Sequence, residues 1–351
     1  MGTKLLSDSA AGVTVSAPAP DLTRGGVINP VLLACVMLGL LVVAAIANLM
    51  VGASGLTLER SLGALFFPSD TVDSALIYDV RLPRLVQTIL VGINLAVAGV
   101  LIQTLTRNPL ASPQTFGINA GAALAIVTSV VAFPALSQWG TVLPAFAGAA
   151  IVGFLMWILS LSPAITPMKL ALAGISIQLV LAALMQAILI ANNASQDIVY
   201  WLAGSVNSAQ WTKVTVILPF TIVGTIVAIA GGQHFGLLAL DKSTGTSLGQ
   251  NARRIGGLAA ILIVALAGSA VAVSGPIGFV GLMVPHIVRR LAGEDQRTLL
   301  ALSAIAGPLL LVAADLAGKL IAYPAELPVG IVTAILGAPA FLFITWAQRS
   351  K

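Results

Sequence analysis

Charge is what this sequence has least of. Only 8 % of its 351 residues are Asp, Glu, Lys or Arg, where soluble domains carry about 25 %. A water-soluble fold of this length could not cover its surface with so few charges, so lipid must be the solvent for much of the chain. The scarcity is also patterned. Arg60 is the only basic residue between Arg24 and Arg81, and none lies between Lys213 and Lys242. Cysteine is nearly absent: Cys35 stands alone in an apolar run, which excludes an intrachain disulfide and suits a small buried hydrophobe. The two histidines, His234 and His286, are too few for a metal cluster, and no cofactor is expected. The net charge of +5 does not point to nucleic acid, because the basic residues flank apolar segments and form no stripe.

Catalytic constellations are missing as well. A phosphate-binding loop needs G-x-x-x-x-G-K-[ST], and the only Gly-Lys pair, Gly318-Lys319, is followed by Leu320. There is no HExxH pair and no Ser-His-Asp set, so the chain is not expected to be an enzyme. Any ATP hydrolysis would belong to a separate subunit. A proton-coupled carrier would need ionisable residues well inside its spans. Asp315 is the main candidate, but it lies near a span end within reach of Lys319, as a paired or solvated interfacial residue would.

What is present is apolar sequence, 58 % of the chain, with 34 Gly and 18 Pro, as membrane helices that break and pack closely require. The expected fold is all-α and polytopic. A span needs about 20 apolar residues to cross about 30 Å of hydrocarbon. Ten candidates emerge, at roughly 30–52, 85–105, 116–134, 141–161, 169–192, 212–231, 256–274, 277–289, 299–319 and 328–347. The eighth is short and follows Gly275-Pro276, the pattern of a half-helix entered through an irregular turn.

With the N-terminus inside, the inner connections and termini hold Lys4, Arg24, Arg107, Lys169, Lys242, Arg253, Arg254, Arg289, Arg290, Arg297, Arg349 and Lys351. The outer ones hold Arg60, Arg81, Arg84, Lys213 and Lys319. Twelve against five favours this orientation, with both termini cytoplasmic. Residues 1–29 are rich in Ser, Ala, Pro and Thr and read as a disordered cytoplasmic tail. They lack the basic n-region set against a short apolar core that marks a cleaved signal. Residues 30–351 form one transmembrane domain. Two connections are longer than topology needs, 53–84 outside and 232–255 inside.

Several motifs follow one another in a distinctive order. Arg81-Leu82-Pro83-Arg84 precedes Gly92, Gly99, Gln103 and Arg107-Asn108-Pro109-Leu110-Ala111-Ser112-Pro113. Then come Gly117-Ile118-Asn119-Ala120-Gly121-Ala122, Trp201-Leu202-Ala203-Gly204-Ser205 and the long run Gly275-Pro276-Ile277-Gly278-Phe279-Val280-Gly281-Leu282-Met283-Val284-Pro285-His286. The series ends with Glu326-Leu327-Pro328-Val329-Gly330 and Gly337-Ala338-Pro339. In these motifs the chain resembles the FecCD-type permeases, the membrane subunits of importers for ferric siderophores, ferric citrate, haem and cobalamin. The likeness runs from about residue 30 to the C-terminal end.

That resemblance implies an ABC importer permease of ten helices in the bacterial inner membrane, paired with a second permease subunit, identical or paralogous. It also implies two separate ATP-hydrolysing subunits and an extracytoplasmic substrate-binding protein. The stretches Tyr200–Val206 and Leu105–Pro109 look most like the ferric-citrate and catecholate branch, with cobalamin or haem as the alternative cargo. By the same likeness Arg81, Arg84 and Lys319 would dock acidic residues of the binding protein, which steers encounter more than it adds affinity. Gly245, Thr246, Leu248 and Gly249 would press on the ATPase. Asn108, Leu110, Pro167 and Met168 would belong to a cytoplasmic gate, and Gly275, Pro276, Gly278 and Gly281 would lie beside the translocation path. Plain structural roles compete with each: arginines anchor helix ends at an interface, and proline stops a helix. His286 is expected to be structural, since a chelated cargo needs no metal ligands from its carrier.

Overall fold

Apolar runs bounded by capping and helix-stopping residues determine where the helices begin and end. They are seen in a computed structural model describing residues 28–52, 58–67, 71–133, 135–137, 139–160, 162, 165–192, 196–239 and 252–349. Among the described residues every regular element is helical. The ten principal helices are α1 (Pro30–Met50), α2 (Leu82–Thr106), α3 (Ile118–Ala132), α4 (Val142–Ser160) and α5 (Pro167–Ala191). They continue with α6 (Trp211–Ala230), α7 (Ala252–Ser274), α8 (Val280–Ala292), α9 (Gln296–Ile321) and α10 (Val329–Arg349). They occupy the ten places expected from hydropathy. Among the described residues, seven helical stretches, those of α1, α2, α4, α5, α6, α7 and α9, are long and apolar enough to cross a membrane. Helix α8, with 13 residues, is about 20 Å long and cannot cross alone.

The helix starts follow local chemistry. Asn29 accepts the Val31 N–H at 2.9 Å, with Pro30 opening α1. Thr166 accepts the Lys169 N–H at 3.3 Å before Pro167, and Asp295 accepts the Thr298 N–H at 2.8 Å. Each side chain satisfies a donor the helix leaves open, and proline costs nothing where no donor is needed. Helix α2 ends at Arg107, whose φ of 51° turns the backbone left-handed. The Asn108 N–H then reaches back to Gln103 O at 3.1 Å. The side chain of Asn108 accepts the Leu110 N–H at 2.9 Å, and Pro109 prevents resumption.

Helix α2 is the axis of the fold. The most apolar window of the stretch containing it is 83 % buried, against 6 % for α5 and 11 % for α1. Helices α6, α7, α8 and α9 surround it. Small residues set the closest approaches. A Cβ on Gly92 would overlap the backbone of Gly307 and Pro308, and one on Gly99 would overlap that of Gly281. Helices α3 and α4 meet the same way at Gly121 and Gly148. Where lipid is as apolar as leucine, close packing of this kind supplies the helix–helix attraction. Cys35 departs from expectation: it is exposed rather than buried, while Leu33, Met37, Asn48 and Leu49 are the residues α1 buries where it packs on α9 and α2.

Candidate functional site

At the C-terminal ends of α1 and α9 and the start of α2 the chain gathers a cluster of charges. Arg84 grips Asp315 as a fork, with Nη2 at 2.7 Å from Oδ1 and Nε at 3.1 and 3.2 Å from the two oxygens. Its Nη1 pairs with Glu326. Lys319, one turn beyond Asp315, lies 3.5 Å from Oδ2. Asn48 of α1 closes the set, donating to Asp315 at 2.9 Å and accepting from Lys319 at 2.8 Å. Arg81 caps the end of α1, donating to Leu49 O and, at 3.1 Å, to Met50 O.

The three basic residues expected to face a partner are therefore drawn inward. Arg81 and Arg84 are 6 % exposed and Lys319 is 4 % exposed. Glu326, with a side chain 28 % exposed, is the acid nearest solvent in the cluster. The reason is electrostatic. Charges this near hydrocarbon are tolerated when paired and hydrogen-bonded, and the fork geometry of arginine suits a carboxylate. Asp315 and Lys319 are paired as their spacing suggested. Asn48 was not among the residues expected in the cluster, and Glu326 had no expected role there. A signal for Asn48 existed: it is the only amide in an otherwise apolar first span.

The second feature is the break between α7 and α8. Gln87 donates to Val273 O at 3.1 Å, while Gly281 rests on Gly99. Twelve residues of α2 separate those two levels, about 18 Å. The eight residues from Val273 to Gly281 would rise only about 12 Å as a helix, so the chain descends as non-helical backbone through Gly275–Phe279. Non-helical backbone at membrane depth is tolerated where protein encloses it, and here it does. Gly275 has a φ of 70°, and a Cβ there would strike the Trp201 carbonyl. Gly278 sits against Gln114, and the Asn119 amide lies 3.5 Å from Ile277 O. Phe279, at a φ of 65°, packs its ring on Gly337 of α10. Of the residues expected beside a path, Gly275, Gly278 and Gly281 are buried within this subunit, and Pro276 is partly exposed.

Buried polar groups line this same region. Asn94 donates to Ser269 at 3.0 Å, and Gln103 accepts from Arg289 at 3.3 Å. The acceptor atoms Gln87 Oε1, Asn94 Oδ1 and Asn119 Oδ1 are buried without a partner among the described residues, as are Ser303 Oγ and His286 Nε2. Hydropathy gave no notice of this row, because each amide is isolated in an apolar run.

Beyond the C-terminal end of α2 and at the start of α5, Leu110 and Met168 are exposed apolar residues, and Asn108 is half-buried. The structure brings their segments together: Gly174 of α5 fits against Thr115 and Phe116 of the loop after α2. The segment with Gly245, Thr246, Leu248 and Gly249 lies outside the described residues, as does the expected tail through residue 27. Among the described residues no group of three or more His, Cys, Asp or Glu is placed to hold a metal ion.

Comparison with known proteins agrees with this architecture. The model of the FecCD transport family matches residues 40–347. The chain is 46 % identical over 303 residues to the Fe(3+)-citrate import system permease protein YfmD of Bacillus subtilis (strain 168), covering 86 % of this chain and 91 % of that protein. It is 38 % identical over 313 residues to the iron(3+)-hydroxamate import system permease protein FhuB of the same organism, covering 88 % and 82 %. A solved structure of an inward-facing metal-chelate type ABC transporter superposes with a TM-score of 0.78 at 27 % identity, covering 91 % of this chain and 100 % of that one.

Proposed function

The chain belongs to the FecCD transport family, and on that premise we propose that it is the membrane permease subunit of an ATP-driven importer for ferric citrate or a ferric siderophore. The observation that carries the cargo assignment is the 46 % identity, across nine-tenths of its length, to a ferric-citrate permease. Ferric hydroxamate permeases follow at lower identity. No phosphate-binding loop occurs in these 351 residues, so two ATPase subunits supply the energy. A second permease subunit, identical or paralogous, completes the pore, and an extracytoplasmic binding protein delivers the chelate. Both termini are cytoplasmic, supported by the excess of basic residues on the inner side.

Under this reading the outer charge cluster is where the binding protein docks. Arg81, Arg84 and Lys319 are reached through Glu326, the partly exposed acid that already occupies one arm of Arg84. The residues from Gly245 to Gly249 contact the ATPase, and the loops bearing Asn108, Leu110, Pro167 and Met168 gate the inner side. The non-helical Gly275–Phe279 segment, against which Gly337 of α10 packs, supplies backbone that shifts without unwinding a helix.

The test is uptake of radiolabelled iron by cells lacking the gene, with and without its restoration. Iron is supplied as citrate, a catecholate and a hydroxamate, with labelled cobalamin alongside. Restored uptake of one iron chelate, abolished when the partner ATPase is inactivated, is the expected result. Return of cobalamin uptake alone would reassign the cargo, and uptake that survives loss of the ATPase would refute the mechanism.

A further inference from the structure

Lys213 is a cation that the reading above leaves unused. It lies in the first turn of α6 at the outer side and is 7 % exposed. Its ammonium donates to Ser208 Oγ at 2.8 Å, and among the described residues no carboxylate pairs with it; the ion pairs there belong to Arg84 and Lys319. A buried ammonium with three donors and one neutral partner is incompletely satisfied.

The surroundings favour an anion. Gln210 makes no side-chain cap on α6. The N–H groups of Lys213 and Val214 turn back to Gln210 O at 3.0 and 3.1 Å. Those of Trp211 and Thr212 meet no acceptor among the described residues. Open N–H groups and the helix dipole attract negative charge, and Lys213 adds a full positive charge beside them. Asn207, in the same loop, has a buried amide oxygen with no partner, so its amide is free to turn its NH2 toward a ligand.

The position links this cluster to the break between α7 and α8. The loop is clamped where the Ser205 N–H donates to Ser274 O at 2.9 Å and the Gly330 N–H donates to Gly204 O at 2.8 Å. A Cβ on Gly204 would meet Pro276 O and Ile277. The loop therefore sits between the start of α10 and the start of the non-helical Gly275–Phe279 segment. The start of α6 is fixed from the other side by Trp211 Nε1, which donates to Tyr78 O at 2.9 Å.

We propose that Lys213, Ser208, Asn207 and the open first turn of α6 form a subsite for a carboxylate of the cargo as it enters from the outer side. This rests on the importer reading. Carboxylates of ferric citrate that iron does not use project from the complex as anions, whereas a neutral ferric hydroxamate offers none. The subsite thus selects for citrate-type chelates. A glutamate or aspartate of the docked binding protein presents the same chemistry from a different source, and the test separates the two.

The experiment uses the complete importer in lipid nanodiscs and iron-free citrate as the probe. Citrate at millimolar concentration, against sodium chloride of matched ionic strength, is expected to raise the melting midpoint and slow hydrogen exchange across residues 205–214. The shift disappears in Lys213→Gln and persists in Lys213→Arg. In uptake assays Lys213→Gln raises the half-saturating ferric citrate concentration by roughly tenfold, the worth of one charge-assisted hydrogen bond, with the maximal rate unchanged. Absence of slowed exchange in the unmutated importer overturns the proposal even if Lys213→Gln fails to assemble. So does an equal citrate response in parent and Lys213→Gln. Slowed exchange that requires the binding protein and not citrate assigns the site to a docked acid and overturns the cargo assignment. If the unmutated importer takes up no ferric citrate, the citrate cargo falls, while the exchange measurement still decides the subsite.

Discussion

Replacing Asp315 by asparagine removes one negative charge and almost no volume. Asp315 is 1 % exposed. It holds Arg84 through contacts of 2.7, 3.1 and 3.2 Å and Lys319 at 3.5 Å. Within the four-charge set the two cations, Arg84 and Lys319, balance the two anions, Asp315 and Glu326. After Asp315→Asn the set carries one uncompensated positive charge, and Lys319 keeps only Asn48 as a partner. Removing one member of a buried pair costs about 3–5 kcal/mol, because the other charge stays desolvated without its compensation. The asparagine NH2 adds to the cost by facing a site already crowded with donors.

The measurement is unfolding in mixed micelles by titration with a denaturing detergent. Adding Lys319→Met restores the charge balance and lets Arg84 share Glu326, so the double variant is expected to recover at least about 2 kcal/mol of the loss. An Asp315→Asn variant within about 0.5 kcal/mol of the parent would refute the electrostatic account. A double variant whose losses simply add would do the same.

Further outcomes follow from particular contacts. Gly99→Leu places a side chain where the Gly281 backbone lies, so it is expected to separate α2 from α8 and lower the melting midpoint sharply. Gly39→Ala, with open space around it, should leave the midpoint unchanged and serves as the control. Asp295→Ala removes the cap of α9 and should cost about 1 kcal/mol, read as a small shift in the same titration. Arg84→Glu would set a third carboxylate against Asp315 and Glu326, so it reports on folding rather than docking. Glu326→Gln is the cleaner docking probe: a partly exposed pair is worth about 1 kcal/mol or less, and freeing one arm of Arg84 should tighten capture of the binding protein. Unchanged affinity in a surface-binding assay would remove Glu326 from the docking surface.

The helices were legible because hydropathy and capping are local. The expected span 85–105 is found as Leu82–Thr106, 30–52 as Pro30–Met50, and 299–319 as Gln296–Ile321. Asn-Pro at residues 29 and 30, Thr-Pro at 166 and 167, and Asn-Pro at 108 and 109 act on donors within their own turn. The short eighth helix after Gly275-Pro276 was also readable, since those residues cannot continue a helix cheaply. The charge cluster was not. Arg84 meets Asp315 across 231 residues and Asn48 meets it across 267, and no local pattern encodes a pairing of that range.

By itself, then, the amino-acid order determined that the chain lives in lipid, that it is helical, where its spans lie and which family its motifs resemble. Only the tertiary structure decided that Arg81, Arg84 and Lys319 turn inward, that Gly275–Phe279 leaves the helix and is enclosed by protein, and that Lys213 is buried beside an open helix end. The division has a physical cause. Transfer from water to lipid and the closing of a helical turn depend on neighbours in sequence. The register of one helix on another depends on matched pairs such as Gly92 with Gly307 and Gly99 with Gly281, and that register alone chooses which charges meet.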